Sequence, residues 1–339
     1  MSNFELLLRN TILSNIESIG VVNRMIDITA KPFVKWVGGK GQLISQIEEL
    51  LPHSLYEEKD VTYVEPFVGG GAMLFFMLQR FPNITHAVIN DINPDLVICY
   101  RTVKDRPKEL INKLFHLQQK YEDLAEEALR KQYFLEIRRL YNMKEVDEVT
   151  NSAYFIFLNK TCFNGLYRVN KSGGFNVPFG RYKTPKICDP ETIMADHKLL
   201  HKVTILCGDF AQTIEYTREG YNFFYFDPPY RPVSNTSSFE SYTKEGFGDE
   251  GQRRLKVYCD LLDSRGFHYA LSNSDGRAQD STNTFFDELY QSYHIHRVYA
   301  SRNINANGSG RGKISEILVT NYEDFRKQPT LFHDQYISI

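Results

Sequence analysis

The 339-residue chain contains no run of about 18 consecutive apolar residues, so no segment reads as a membrane-spanning helix. Cysteine is sparse and scattered, with five residues at 99, 162, 188, 207 and 259 and no C-x-x-C pair. That excludes a zinc ribbon, argues against a disulfide framework and fits a reducing cytosol. No excess of one charge exists either: 40 basic residues face 42 acidic ones, for a net −2. Net charge therefore neither announces nor excludes a polyanionic partner, and only local clustering can decide. Internal repeats and low-complexity tails are absent. The first twenty residues, MSNFELLLRNTILSNIESIG, interrupt their apolar runs with Glu5, Arg9 and Glu17. They make a poor signal peptide and read as a short amphipathic helix.

The hydrophobic fraction of 42% and charged fraction of 24% are those of a globular protein. At roughly 150 residues per domain, the length suggests about two domains. Short runs rich in Val, Ile, Phe and Tyr recur, each ending in Gly, Asp or Pro. They are VTYVEP (61–66), HAVIND (86–91), VTILCGD (203–209), YNFFYFDPPY (221–230), GFHYALSNSD (266–275), HIHRVYA (294–300) and SEILVTNY (315–322). Such runs read as buried strands. Helical patterns such as QLISQIEELL, GAMLFFMLQRF and EGQRRLKVYCDLLDS fall between them. The alternation predicts an α/β fold with a mostly parallel sheet covered on both faces. Residues 96–200 break the rhythm and read as an insertion, helical first and loop-like from NSAYFIFLNK onward.

Four motifs carry the chemistry. EPFVGGGAM (65–73) follows a strand and opens a helix, and its glycines permit a tight turn and close approach of a ligand to the backbone. Leu74 stands where a dinucleotide fingerprint wants a small residue, which disfavours a pyrophosphate cradle and a nicotinamide dehydrogenase. Asp91 ends the next strand, where an acidic side chain can hold a ribose; it could equally cap the helix beginning at Pro94. Asp227-Pro228-Pro229-Tyr230 follows the strand FFYF. The amino group of a heteroaromatic ring is a poor nucleophile because its lone pair is delocalised. A carboxylate and a stiffened prolyl carbonyl can accept its two N–H bonds, and the aromatic residue can stack on the base. Finally, KPFVKWVGGKGQLI (31–44) holds the single Trp, Trp36, with Lys40 after a Gly-Gly pair. Lys40 and the following helix start could bind a carboxylate, or Trp36 could simply anchor the core.

K-W-x-G-G-K, then E-P-F-x-G-G-G, then an insertion, then D-P-P-Y resembles the DNA adenine-N6 methyltransferases over about residues 31–325. FNGLYRVNKSGGFNVPFGRYKTP resembles the recognition hairpin of the GATC-methylating members, departing from it at Ser172 to Gly174. RNINANGSGRGKISEILVTNY resembles their C-terminal hairpin. The resemblance implies a Rossmann-like, S-adenosylmethionine-dependent methyltransferase sheet with an inserted helical and loop DNA-recognition domain. Its catalytic domain would comprise residues 31–95 and 201–330, its target-recognition domain 96–200, and residues 1–30 an N-terminal extension. Trp36, Lys40, Glu65, Phe67, Gly69, Gly71, Asp91, Asp209, Phe210 and Asp227 would bind S-adenosylmethionine. Asp227, Pro228, Pro229 and Tyr230 would hold a flipped adenine. Lys35, Leu166, Arg168, Asn170, Pro178, Arg181, Arg302 and Asn307 would touch double-stranded DNA, Arg168 through a bidentate contact to guanine.

Local charge supports a DNA partner independently. Val149–Cys188 contains no acid but holds Lys160, Arg168, Lys171, Arg181, Lys183 and Lys186. Leu289–Ser315 contains none either, with Arg297, Arg302, Arg311 and Lys313. These windows form an electrostatic footprint that the net charge conceals. The spacing of His197 and His201 matches a metal pair, but without a third ligand it reads as a solvated helix face. The expected activity is site-specific methylation of adenine N6 in duplex DNA within GATC, in the cytoplasm, with neither metal nor membrane. An RNA adenine-N6 methyltransferase and a catalytically inactive DNA-binding module are the alternatives. A cognate restriction endonuclease acting separately, an orphan role and a phage role all remain open.

Overall fold

The structure, a computed structural model, describes residues 29–231, 247–278, 280–300 and 314–323. All seven apolar runs are strands: β1 (Val61–Glu65), β2 (Ile84–Asp91), β3 (Val203–Cys207), β4 (Tyr221–Phe226), β5 (His268–Ser274), β6 (His294–Ala300) and β7 (Ile314–Thr320). They form one sheet in the order β3-β2-β1-β4-β5-β7-β6. The first five are mutually parallel, and β7 runs antiparallel to both β5 and β6. Strand order reverses between β1 and β4, so their carboxyl ends open the crevice where ligands bind in doubly wound sheets.

Ten helices fall among the described residues: α1 (Ile44–Glu49), α2 (Ser54–Glu57), α3 (Ala72–Arg80), α4 (Pro94–Asp105), α5 (Pro107–Glu122), α6 (Glu127–Met143), α7 (Glu148–Thr161), α8 (Pro190–Leu200), α9 (Asp249–Ser264) and α10 (Phe285–Leu289). Strand side chains alternate between two faces. Tyr63, Phe223 and Tyr225 pack with α3 and the helices inserted between β2 and β3. Val64, Phe224 and Phe226 pack with Leu255, Tyr258 and Leu262 of α9. Both faces are thereby dry, as a parallel sheet requires.

One expectation needs correcting. NSAYFIFLNKT is the helix α7, not the start of a loop. Asp147 caps it by accepting from the Val149 and Thr150 amides. Eleven of its 14 residues are buried, so it lies at the centre of the inserted helices and shows no amphipathic period. The irregular stretch begins after it, at Cys162. The N-terminal helix expected within residues 1–28 lies outside the described residues.

Candidate active site

Strand β1 delivers Glu65 to the crevice and turns through Pro66–Gly71 into α3. Gly69 and Gly71 have φ of 48° and 79°, in the left-handed region that only glycine adopts without strain. Space forbids side chains there too. A Cβ at Gly69 would stand 2.8 Å from Trp36, and one at Gly71 2.5 Å from the Tyr100 hydroxyl. Trp36 stacks on Tyr167 and Phe155 with centroids 5.6 and 6.4 Å away, and so packs against the core while backing the turn. Tyr100 donates to the Gly69 carbonyl at 2.9 Å. Asp91, at the end of β2, accepts from the Gly69 amide at 3.1 Å and the Asn93 amide at 2.9 Å. Asn93 caps α4, so Asp91 does not; its carboxylate ties the turn to β2 instead. Burial pushes the Asp91 carboxyl up, against the pull of these amide bonds.

Asp227 leaves β4 directly beside that turn. Its carboxylate lies 2.9 Å from the ammonium of Lys40, which is 3% exposed. Lys40 also donates to the Tyr230 hydroxyl at 2.5 Å and to the Gly38 carbonyl at 3.2 Å. Glu316 of β7 lies 3.4 Å from the same ammonium and accepts from the Tyr230 hydroxyl at 2.5 Å. Burial pushes the Asp227 carboxyl up, with Lys40 pulling against it. Burial likewise works against the Lys40 charge, but the two carboxylates prevail and hold its pKa above the ordinary value. Glu65 is 2% exposed and accepts from the Tyr63 hydroxyl at 2.8 Å. Burial holds its carboxyl well above the usual range, and the nearby charge of Asp227 adds to this. The N–H bonds of Lys40 are thus shared among Asp227, Glu316, the Tyr230 hydroxyl and the Gly38 carbonyl. The 3-10 turn Lys40–Gln42 that begins at this lysine leads into α1.

Behind the corner, Gln252 of α9 donates to the Pro229 carbonyl at 3.1 Å and accepts from Asn273 of β5 at 3.0 Å. Both amides are fully buried. The Pro228 carbonyl receives no donor among the described residues. At the end of β3, Phe210 packs against Phe67 and Phe247 with centroids 5.3 and 6.1 Å away. Asp209 caps the following 3-10 turn and forms a two-pronged pair with Arg254 at 2.5 and 2.7 Å. That pair holds the Asp209 carboxyl below the usual range.

The recognition segment closes on itself. Val169 bridges Phe175, and Asn170 accepts from the Ser172 and Gly174 amides at 3.0 and 2.9 Å. Arg168 is exposed, with Nε donating to Asn176 at 2.7 Å. Pro178 is exposed and Leu166 half-buried on the same hairpin. Asn159 of α7 grips the Lys35 amide and carbonyl, each at 2.8 Å, and the Gly165 carbonyl at 3.0 Å. The start of the hairpin is thereby fixed to the segment that carries Trp36. The exposed Lys35 ammonium lies 4.9 Å from the Tyr182 ring centre.

The charge windows are less free than the sequence implied. Lys160 is half-buried, with a pKa lowered to about 8 by burial and by neighbouring Lys35. Arg181 pairs with Glu127 at 3.7 Å and Lys186 with Asp189 at 2.9 Å. Arg297 lies between Asp275 and Asp287 at 3.2 and 3.0 Å. Each acid comes from outside its cation's window, which an inventory of the window cannot register. Arg302 and Asn307 lie outside the described residues. His197 Nδ1–H donates to the Lys104 carbonyl, 2.7 Å away, and no cluster of three His, Cys, Asp or Glu suited to a metal occurs among the described residues. No described helix is long and apolar enough to cross a membrane. Sequence reasoning missed Glu316, Gln252, Asn273, Asn159 and Arg254, since each reaches its partner only through the tertiary fold.

Residues 36–304 match the family pattern of the D12 class N6 adenine-specific DNA methyltransferases. Type II methyltransferase M.MjaIII of Methanocaldococcus jannaschii is 48% identical over 295 residues, covering 86% of this chain and 99% of the relative. Type II methyltransferase M1.LlaDCHI of Lactococcus lactis subsp. cremoris is 42% identical over 300 residues, covering 87% and 96%. The DNA adenine methylase of Escherichia coli K12 is 32% identical over 288 residues, covering 85% and 94%.

Proposed function

Since the chain belongs to the D12 class N6 adenine-specific DNA methyltransferases, we propose that its Asp227–Tyr230 corner grips an adenine flipped out of duplex DNA for methylation within GATC. The observation that carries this reading is the position of the Asp227 carboxylate. It stands at the strand-order reversal, beside the glycine turn and against a buried ammonium. Asp227 and the Pro228 carbonyl accept the two N–H bonds of the amine and draw its lone pair out of conjugation with the ring. Gln252 and Asn273 hold the prolyl backbone from behind, and Tyr230 stacks on the base. The target must leave the helix, at a cost of a few kcal/mol. The chain's contribution to catalysis is positioning and fixed hydrogen bonding.

S-adenosylmethionine, when bound, supplies an activated sulfonium methyl group. The residues fit it. Asp227 and Glu316 share the one ammonium of Lys40, and the Glu65 carboxyl lies close to Asp227, an acid-rich setting that suits a cationic ligand. Gly69 and Gly71 keep the turn free of side chains. Trp36, Glu65, Phe67, Gly69, Gly71 and Asp91 would hold the methionine and ribose, and Asp209 and Phe210 the adenine. Lys40 serves that site by fixing Asp227.

Residues 96–200 form the recognition domain in this reading, and 31–95 with 201–330 the catalytic one. Lys35, Leu166, Arg168, Asn170, Pro178 and Arg181 face DNA, together with Arg302 and Asn307 from the segment between β6 and β7. Because the named relatives include Type II methyltransferases, a separately acting restriction endonuclease of the same target is the proposed partner, in the cytoplasm. The test is tritiated-methyl transfer into duplex DNA and into RNA, with sequencing of the methylated adenines. Wild-type protein is expected to label duplex DNA at GATC. Asp227→Ala is expected to lose at least about a hundredfold in turnover while retaining DNA binding. Preferential labelling of RNA, or turnover retained by Asp227→Ala, refutes the reading.

A further inference from the structure

Asp227 is not alone with its cation. The Lys40 ammonium, 3% exposed, is shared between Asp227 at 2.9 Å and Glu316 at 3.4 Å. The Tyr230 hydroxyl accepts from Lys40 and donates to Glu316, so both its hydrogen-bonding roles are engaged. Glu316 sits on β7, paired with Ser274 of β5 on one side and Val298 of β6 on the other. Its backbone is therefore held by two neighbouring strands and is a rigid base for an extended side chain.

We propose that Glu316 is a positioning residue for methyl transfer: it shares the Lys40 ammonium and fixes Tyr230, so that the Asp227 carboxylate remains a strong acceptor for the target amine. The inference rests on the proposed role of Asp227. A carboxylate paired one-to-one with a buried ammonium forms a neutral couple whose lone pairs are largely committed. Two carboxylates on one ammonium leave the group a net negative charge, and each is only partly satisfied. Glu316 thus keeps Asp227 a strong acceptor while Lys40 still offsets the cost of burying it. The phenol, held at both lone pair and proton, cannot swing away when the base is absent. The ionisable groups facing Asp227 are Lys40 ahead of α1, Tyr63 and Glu65 on β1, Tyr225 on β4, Tyr230 after it, and Glu316 on β7.

Glu316→Gln tests this, because it preserves size and an acceptor for the Tyr230 hydroxyl while deleting the charge. The expected result is a loss of kcat of roughly tenfold or more, as for other groups that orient a functional ligand. The KM for DNA should stay unchanged. The negative charge of Glu316 pushes the Asp227 carboxyl up, so its removal should move the acid limb of the kcat–pH profile to lower pH. Glu316→Asp retains the charge and should return that limb toward wild type, a recovery that a purely structural role would not produce. Wild-type kcat with an unmoved acid limb in Glu316→Gln overturns the proposal, as does an identical limb in the Gln and Asp variants. If Asp227→Ala retains turnover, the reading of the corner fails. If Asp227→Ala is inactive while Glu316→Gln behaves as wild type, only the present inference fails.

Discussion

Lys40→Met removes the ammonium from between Asp227 and Glu316 while keeping the length and apolar stem of the side chain. Breaking a buried ion pair from one side costs about 3–5 kcal/mol. Asp227 and Glu316 retain 22% and 16% side-chain exposure, so water screens part of the loss and about 2–3 kcal/mol is the better expectation. For a protein of this size that lowers the melting temperature by roughly 3–4 °C. The carboxylates relieve the rest by taking up protons. Lys40 pulls the Asp227 carboxyl down, so Asp227 in the variant should titrate higher. If transfer needs the anion, the acid limb of kcat moves to higher pH, opposite to the shift expected for Glu316→Gln. Stability carries the same signature. An acid whose folded pKa is raised loses stability as pH rises through the carboxylate range. The gap in melting temperature between variant and wild type should therefore be smaller near pH 5 than near pH 8. Methyl-transfer rates at saturating substrate from pH 5 to 9, with melting curves at both ends, make the measurement. An acid limb that stays put or moves down, with the variant folded, refutes the ion-pair account of Asp227.

Arg168→Ala should relax the preferred target, since a bidentate contact to guanine is worth about 1–3 kcal/mol of discrimination; an unchanged profile of methylated adenines counts against it. Gly165→Ala combines φ of 65° with a Cβ 2.4 Å from Lys35 Cδ and 2.7 Å from Lys35 Cβ. The backbone conformation alone costs about 1–2 kcal/mol, so a lower melting temperature should accompany loss of target discrimination, and an unchanged melt would show that the hairpin base can yield.

Seven strands were legible because each is a short β-branched or aromatic run bounded by a turn residue, and the Asp227 corner because its residues are contiguous. Helix α7 was missed for a physical reason. A helix buried on nearly every side has no polar stripe, and the Gly and Asn residues that follow it made the whole stretch look irregular. The partners of the corner were hidden for another. Glu316 meets Tyr230 across 86 residues of chain, and Lys40 meets it across 190. Only the antiparallel docking of β7 against β5 brings these groups together, and nothing in the residues around Glu316 marks it. Arg297 tells the same story in reverse: it looks like a free cation until the fold supplies Asp275.

Asn159 grips both the stretch that leads to Trp36 and the residue that opens the hairpin. Specificity is therefore not a detachable module here. A hairpin transplanted from a relative with a different target would inherit a working donor pocket only if the splice falls beyond Gly165 and spares that amide. A cut one residue earlier would disturb the chemistry along with the address.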